Sequence, residues 1–289
     1  MSTAPFLPLS DGTDIPQFYS SCFCCDTVDK TVDQVKAMFG IGIRHFQIAE
    51  LFGNGHIIIK TLREVCEKRE DLYITLKVWP KERGPEELIQ AVMKELETMS
   101  LEYVDLLLVH SPIDLENKAD QYKALEELKD RNITRSIAVS NISAVLLQDL
   151  LKNCRITPVA FELEVTPFNQ NDDMVEFLSD SSICALNQEP VGKGLRHKND
   201  PKLQAIADDC SLSITRLLIA YSYTKKLAIG LPASHTNMYI GSELTENITI
   251  NDLAVELPSA IMDKLLSMEA GKLTTFVPVE RVGDDDKDS

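Results

Sequence analysis

The sequence is short of basic residues. Its 289 residues include 29 lysines and arginines against 45 aspartates and glutamates, which gives a formal net charge of −16. Nucleic acids and anionic membranes bind to positively charged surfaces, so this balance argues against both as partners. No apolar run is long enough to span a bilayer, and the first residues lack the basic and apolar segments of a secretory signal. We therefore expect a cytoplasmic protein.

Two motifs that would suggest other kinds of site are also missing. The sequence contains no Gly-x-Gly-x-x-Gly turn, which a doubly wound dinucleotide-binding sheet would place after its first strand. Cys22, Cys24 and Cys25 form a cluster, but no second group of cysteines or histidines lies at the spacing of metal ligands. The seven cysteines, an odd number without an export signal, indicate reduced thiols. We therefore expect no metal site.

Apolar segments typical of strands alternate along the chain with amphipathic segments typical of helices. The strand-like segments are residues 18–23, 42–48, 72–78, 103–109, 136–140, 159–165, 182–186 and 226–231. No Gly- or Ser-rich linker interrupts the series. Eight strand–helix units within about 250 residues are typical of a closed (β/α)8 barrel. We predict a single-domain α/β barrel over residues 1–282, followed by an acidic, disordered tail at 283–289.

Seven motifs, in a fixed order, resemble those of the aldo-keto reductases. They are GIRHFQIAELFGN (42–54), LYITLKVWP (72–80), LEYVDLLLVHSP (101–112), AVSNI (138–142), ELEVTPFNQ (162–170), EPVGKG (189–194) and LPAS (231–234). The resemblance extends along almost the whole chain. It implies a barrel that reduces carbonyl compounds with NADPH. It also implies a site in which a tyrosine delivers the proton, a lysine paired with an aspartate lowers the pKa of that tyrosine, and a histidine orients the carbonyl.

Two of the four catalytic positions implied by this resemblance are substituted. Lys77 and His110 match the lysine and the histidine, whereas Gln47 stands at the aspartate position and Phe52 at the tyrosine position. Phe52 has no exchangeable proton, and losing a positioned general acid typically costs about 10²- to 10⁴-fold in rate. Gln47 cannot form an ion pair, so Lys77 is expected to lose the charge partner at that position. Pairing with Glu162, as a cation at the barrel mouth, is the structural alternative to a catalytic role for Lys77.

Most of the implied cofactor-binding positions are substituted as well. The retained residues are Ser140, Asn141 and Ser234, and the substituted ones are Glu162, Gln188, Glu189, Ala233 and Tyr239. A carboxylate such as Glu162 accepts hydrogen bonds but cannot donate one to a carboxamide oxygen. Glu189 places a negative charge at the pyrophosphate position, and Tyr19 is expected to crowd the path of the nicotinamide ring. These changes predict that NADPH binding is weakened or lost.

Three functions fit these observations. The favoured hypothesis is a catalytically degenerate member that keeps the barrel as a binding or regulatory module, for a small molecule at the barrel mouth or for a protein partner. The first alternative is an atypical NADP(H)-dependent carbonyl oxidoreductase in which His110 is the acid. The second is a cofactor-independent lyase, isomerase or cyclase that uses His110 together with Lys77, since a lysine without its carboxylate can become nucleophilic.

Overall fold

The computed structural model of the chain describes residues 5–21, 27–79, 84–110, 118–192, 200–232 and 248–268. The strands in these ranges are β1 (Phe6–Pro8), β2 (Asp14–Pro16), β3 (Phe18–Ser21), β4 (His45–Ala49), β5 (Tyr73–Val78), β6 (Val104–His110), β7 (Thr134–Ser140), β8 (Ala160–Leu163), β9 (Cys184–Asn187) and β10 (Ala228–Pro232). The helices are α1 (Val28–Gly40), α2 (Gly55–Val65), α3 (Pro85–Met99), α4 (Lys118–Asp130), α5 (Ala144–Asn153), α6 (Asp172–Asp180), α7 (Pro201–Asp209), α8 (Ile214–Thr224) and α9 (Ser259–Leu266).

Eight parallel strands close into a barrel. Their order around it is β10-β3-β4-β5-β6-β7-β8-β9, and β10 is hydrogen-bonded to both β3 and β9. Each of the eight predicted strand segments overlaps one of these strands, so the predicted (β/α)8 barrel is confirmed. No helix in the described part of the chain is both long enough and apolar enough to cross a membrane. The predicted acidic tail at 283–289 and the cluster of Cys22, Cys24 and Cys25 lie outside the described residues.

Alternation along the strands separates an outer apolar layer from the barrel interior. On β5, Ile74, Leu76 and Val78 belong to the large apolar cluster between the sheet and the helices. Thr75 and Lys77 lie between them in sequence and point to the other side, because successive side chains of a strand face opposite ways. The same alternation makes the inner face of each barrel strand available for polar residues near the mouth.

Capping side chains begin several of the helices that surround the barrel. Ser143 accepts a hydrogen bond from the Leu146 N–H at the start of α5, and Ser213 accepts one from the Arg216 N–H at the start of α8. Asp200 caps α7 in the same way. Each cap satisfies an N–H group that has no partner within the helix. The Ser143 cap begins α5 close after the end of β7, so it turns the chain back along the outside of the barrel.

A short hairpin closes the opposite end of the barrel. β1 pairs with β2 in antiparallel fashion, and the turn between them contains Gly12 at a φ of +82°. Leu9 and Ile15 from this hairpin pack into the interior apolar cluster. The sequence patterns did not predict the hairpin, α6 or α9. The dipeptide Asp11–Gly12 is a common turn signal and could have indicated the hairpin.

Side chains fill the barrel interior near this closed end. Tyr19 is completely buried, and its ring centroid lies 4.9 Å from that of His45. The room for this ring comes from Gly230 on the neighbouring β10, where an added Cβ would lie 2.8 Å from the Tyr19 ring. A tyrosine on β3 is therefore matched by a glycine on β10. The expected crowding of a nicotinamide ring by Tyr19 stays a prediction.

His45 makes the stability of the barrel depend on pH. Burial lowers the pKa of His45 to about 3, and the nearby Pro16 backbone opposes this shift to a smaller extent. The unfolded chain takes up the proton near pH 6.5, whereas the folded chain does not. The contribution of His45 to stability is therefore fully present above pH 6.5 and is lost as the pH falls from 6.5 towards 3, by up to about 1.4 kcal/mol per pH unit.

Urea unfolding between pH 7 and pH 4 measures this effect. His45→Gln, whose amide can still bond to the Thr75 hydroxyl, is expected to show a shallower fall in unfolding free energy than the wild type. His56→Gln, at an exposed position on α2, is the matched control and is expected to keep the wild-type slope. Equal slopes for His45→Gln and the wild type would contradict the assignment to His45.

Candidate active site

Polar side chains gather where the barrel strands end. Lys77 lies near the end of β5, His110 ends β6, Ser140 ends β7, and Gln188 directly follows β9. In (β/α)8 barrels the carboxyl ends of the strands carry the functional residues. The structure therefore brings together the residues that the motifs placed in one site.

Lys77 and Glu162 form a buried ion pair across the barrel. The Lys77 Nζ donates to Glu162 Oε1, and it also lies 3.1 Å from Gln188 Oε1. The side chain of Lys77 is 7% exposed and that of Glu162 is 0% exposed. Since β6 and β7 separate β5 from β8 in the sheet, the pair crosses the interior instead of joining neighbouring strands. Lys77 thus has no carboxylate at position 47, as expected, and the pairing with Glu162 that was considered as a structural explanation of Lys77 is present.

Gln47 holds the second oxygen of the same carboxylate. Its Nε2 donates to Glu162 Oε2 at 2.5 Å, while its Oε1 accepts from the Ser21 hydroxyl at 3.0 Å. Because one end of a side-chain amide donates and the other accepts, these two contacts fix the orientation of Gln47. We call the connected set the interior network; its members are Ser21, Gln47, Lys77, Glu162 and Gln188. The sequence had not identified Ser21 as a member.

His110 lies beside the interior network at the barrel mouth. Its Nδ1 is 3.1 Å from the Ser140 hydroxyl, which in turn lies 3.4 Å from the Val109 carbonyl oxygen. When Ser140 donates to Val109, its oxygen accepts from the Nδ1–H of His110. In that arrangement Nε2 is the ring nitrogen that Ser140 does not hold. The ring of Trp79 supports His110 from the side, with the two centroids 4.7 Å apart.

A small cavity opens between His110 and Lys77. Its volume is about 80 Å³, several times the roughly 10–15 Å³ that one water molecule needs. It is lined by Ala49, Leu51, Phe52, Lys77, Val78, Trp79 and His110. Among these lining residues, Lys77 and His110 carry the ionisable side chains, and Trp79 adds an indole N–H. Phe52 contributes a ring without a hydroxyl, so among the described lining residues Lys77 and His110 are the candidates to deliver a proton.

The implied cofactor positions fall partly within the described residues. Ser140 is buried, and Asn141 follows it with a φ of +53° and a backbone N–H that donates to the Glu162 carbonyl oxygen at 3.1 Å. The Glu189 N–H lies 3.3 Å from Asn187 Oδ1 at the end of β9. Ala233, Ser234 and Tyr239 lie outside the described residues. No group of three or more His, Cys, Asp or Glu side chains in the described ranges is arranged to hold a metal ion.

The closed barrel and the cavity at its mouth define a (β/α)8 protein with a candidate active site at the carboxyl ends of its strands. The model of the Aldo/keto reductase family matches residues 27–237. The chain therefore belongs to the aldo/keto reductase family.

Similar proteins cover nearly the whole chain. The NADH-dependent D-xylose reductase of Candida parapsilosis is 29% identical over 297 residues, which cover 87% of this chain and 90% of that protein. Glycerol 2-dehydrogenase (NADP(+)) of Hypocrea jecorina is 27% identical over 305 residues, which cover 93% of each chain. Among solved structures, Bombyx mori aldo-keto reductase in complex with NADP matches with a TM-score of 0.81 at 22% identity, covering 93% of this chain and 94% of that one. At this identity the structural likeness shows the fold.

The Lys77–Glu162 pair is expected to matter far more for stability than an exposed pair. Glu162→Ala leaves Lys77 buried without its carboxylate, and breaking a buried pair in this way typically costs about 3–5 kcal/mol. Glu64→Ala is the matched control, because Glu64 pairs with Lys36 at 3.2 Å where both side chains are about half exposed. Such surface pairs contribute about 0–1 kcal/mol. Urea unfolding measures both changes, and a similar loss in the two variants would contradict the importance of the buried pair.

Proposed function

We propose that this chain is an atypical NAD(P)H-dependent carbonyl oxidoreductase in which His110 supplies the proton. The proposal depends on one observation: His110 and Lys77 line the same small cavity, whose other described lining residues carry no ionisable group. Membership of the aldo/keto reductase family supports the reaction class. Relatives named as NADH-dependent and NADP(+)-dependent enzymes support the type of cofactor.

The residues at the ends of β7 and β8 fit the amide end of a nicotinamide. Asn141 carries a side-chain amide at this edge and is partly exposed. A carboxylate can accept about four hydrogen bonds, and those from Lys77 and Gln47 use two of them, so Glu162 keeps the capacity to accept from an amide N–H. Ser140, Asn141 and Glu162 would hold this end of the cofactor. When bound, a reduced nicotinamide supplies the hydride for carbonyl reduction.

Lys77 and His110 divide the remaining chemistry. A carbonyl oxygen in the cavity gains negative charge as its carbon is reduced, and the Lys77 ammonium stabilises that charge. The Nε2–H of a protonated His110 delivers its proton to the oxygen and leaves the neutral ring with its remaining hydrogen on Nδ1, because imidazole exchanges protons near neutral pH. Ser140 holds the His110 ring through Nδ1 during this transfer. Phe52 provides an apolar wall that limits access of water to the oxygen.

The ion pair changes the balance among the hypotheses drawn from the sequence. The non-catalytic hypothesis depends partly on Lys77 having lost its carboxylate, but Glu162 supplies one. The cofactor-independent hypothesis requires a lysine without a carboxylate, so the same contact argues against it. The substitution at position 47 is thus offset by an acid on another strand. The oxidoreductase hypothesis does not require Lys77 to lack a carboxylate, so it is compatible with the Lys77–Glu162 pair.

A non-catalytic barrel that binds a small molecule or a protein partner is the second candidate function. Phe52 favours it, because this residue lines the cavity and cannot exchange a proton. Under this function, a small carbonyl compound binds in the cavity without being reduced. The two candidates therefore differ in turnover and not in the presence of a ligand site.

Oxidation of NADPH and NADH with a panel of small aldehydes and ketones tests the proposal. The wild type is expected to turn over, and His110→Ala is expected to lower kcat by about 10²- to 10⁴-fold, because it removes the proton donor. His56→Ala, at an exposed position, is the control for loss of a histidine. Thermal unfolding of each variant checks that the fold is intact.

Phe52→Tyr in the His110→Ala background provides a second test. A phenol at position 52 restores a proton donor beside Lys77, so kcat is expected to recover at least in part. An unchanged kcat in His110→Ala would exclude His110 as the acid. Binding of carbonyl compounds without oxidation of either nucleotide by the wild type would favour the non-catalytic candidate.

A further inference from the structure

We propose that Glu162 is a positioning residue that keeps Lys77 as a fixed ammonium at the cavity wall. In this role Lys77 anchors a ligand oxygen by its charge and does not act as an amine nucleophile. Glu162 would thereby set the charge that the cavity presents to a ligand, and this is what we infer. It holds whether the cavity reduces a carbonyl or only binds a ligand.

Lys77 and Glu162 compensate each other's charge inside the barrel. An ammonium that is almost fully buried is costly unless a carboxylate compensates it, and Lys77 is 7% exposed. Among the groups that the described residues place in hydrogen-bond contact with Lys77, Glu162 carries the negative charge and Gln188 is neutral. Glu162 is itself 0% exposed and requires a cation in return. Each member of the pair therefore compensates the buried charge of the other.

Contacts to both oxygens fix the orientation of the Glu162 carboxylate. Oε1 faces Lys77, while Oε2 is held by the Gln47 amide at 2.5 Å. Gln47 is held in turn by Ser21 at 3.0 Å. A carboxylate bonded on both oxygens cannot rotate away from Lys77 without breaking the contact to Gln47. The chain from Ser21 through Gln47 to Glu162 therefore fixes where the ammonium lies.

Lys77 is also accessible to a ligand from the cavity. Lys77 belongs to the interior network and also lines the cavity that His110 and Phe52 share. Its charge is thus anchored from inside the barrel and exposed towards the mouth. A carbonyl or hydroxyl oxygen of a small ligand is the group that such a cation would bind.

Carbamylation by cyanate provides a readout that does not depend on activity. Cyanate modifies the neutral amine, and peptide mass spectrometry measures the rate at each lysine separately. Glu162→Gln keeps the shape of the side chain but removes its charge, so Lys77 loses the group that favours its protonated form. We expect Lys77 to be carbamylated at least about tenfold faster in this variant than in the wild type. Lys36, which is about half exposed on α1, is the internal reference and should react at an unchanged rate.

Exchange of the acid and the amide separates charge from shape. Gln47→Glu with Glu162→Gln keeps the net charge and moves the carboxylate from a direct contact with Lys77 to the neighbouring position in the interior network. Position 47 is where the resemblance places the acid that pairs with the lysine, so the carbamylation rate of Lys77 is expected to lie closer to that of the wild type than to that of Glu162→Gln. If Glu162→Gln does not fold, Glu162→Asp takes its place, because its shorter side chain draws the carboxylate away from Lys77 and must raise the rate above that of the wild type.

Gln188→Met tests whether loss of any hydrogen-bond partner of Lys77 raises its carbamylation rate. It removes the neutral partner of Lys77, and the carbamylation rate is expected to stay within about twofold of the wild type, because the charge of Glu162 remains. A rise as large as that in Glu162→Gln would overturn the proposal. So would an unchanged rate at Lys77 in folded Glu162→Gln. Neither outcome bears on turnover, so failure of this inference is distinguishable from failure of the proposed function.

Discussion

The buried contact between Lys77 and Glu162 is the interaction on which the barrel mouth depends. It joins β5 to β8 through the interior, and both groups are almost completely removed from water. Such a pair is stable only while each partner compensates the other, because a single buried charge is costly. Gln47 donates to Glu162, Gln188 accepts from Lys77, and the Ser21 hydroxyl holds Gln47 in place. The mouth is therefore a connected polar layer above an apolar interior.

This layer determines what the cavity can do. Lys77 presents a fixed positive charge, and His110 presents an imidazole whose Nδ1 is held by Ser140. The other described residues that line the cavity, including Phe52, are not ionisable. A carbonyl group fits this combination, since its oxygen can bind the cation and its carbon can lie against the apolar wall. The substitutions at positions 47 and 52 thus change which residues hold and deliver the proton, and carbonyl chemistry remains compatible with the site.

Local patterns in the sequence predicted much of the fold. The eight strands followed from runs of apolar residues, and the motifs placed Lys77 and His110 at strand ends, where the structure has them. The hairpin of β1 and β2 was missed because its strands are short and its burial depends on the closed barrel. The matched pair of Tyr19 and Gly230 could not be predicted either. The two residues are far apart in sequence and meet because β10 pairs with β3.

The interior network shows where sequence patterns are insufficient. Glu162 could be proposed as a partner of Lys77, but the choice between pairing and loss of the partner depended on distances across the closed barrel. The orientation of Gln47 depends on Ser21, a residue on a third strand with no distinctive motif role of its own. Contacts of this kind follow from barrel closure and side-chain packing. They are properties of the tertiary structure and have no local signal.

Binding of the nicotinamide cofactor tests the central claim most directly. Trp79 is the only tryptophan in the sequence, and it lines the cavity and contacts His110. Titration of the purified protein with NADPH and with NADH, followed by quenching of Trp79 fluorescence and by calorimetry, therefore reports on the site itself. The account predicts saturable binding of at least one of the two nucleotides. Absence of both heat and quenching at millimolar nucleotide would contradict the oxidoreductase function.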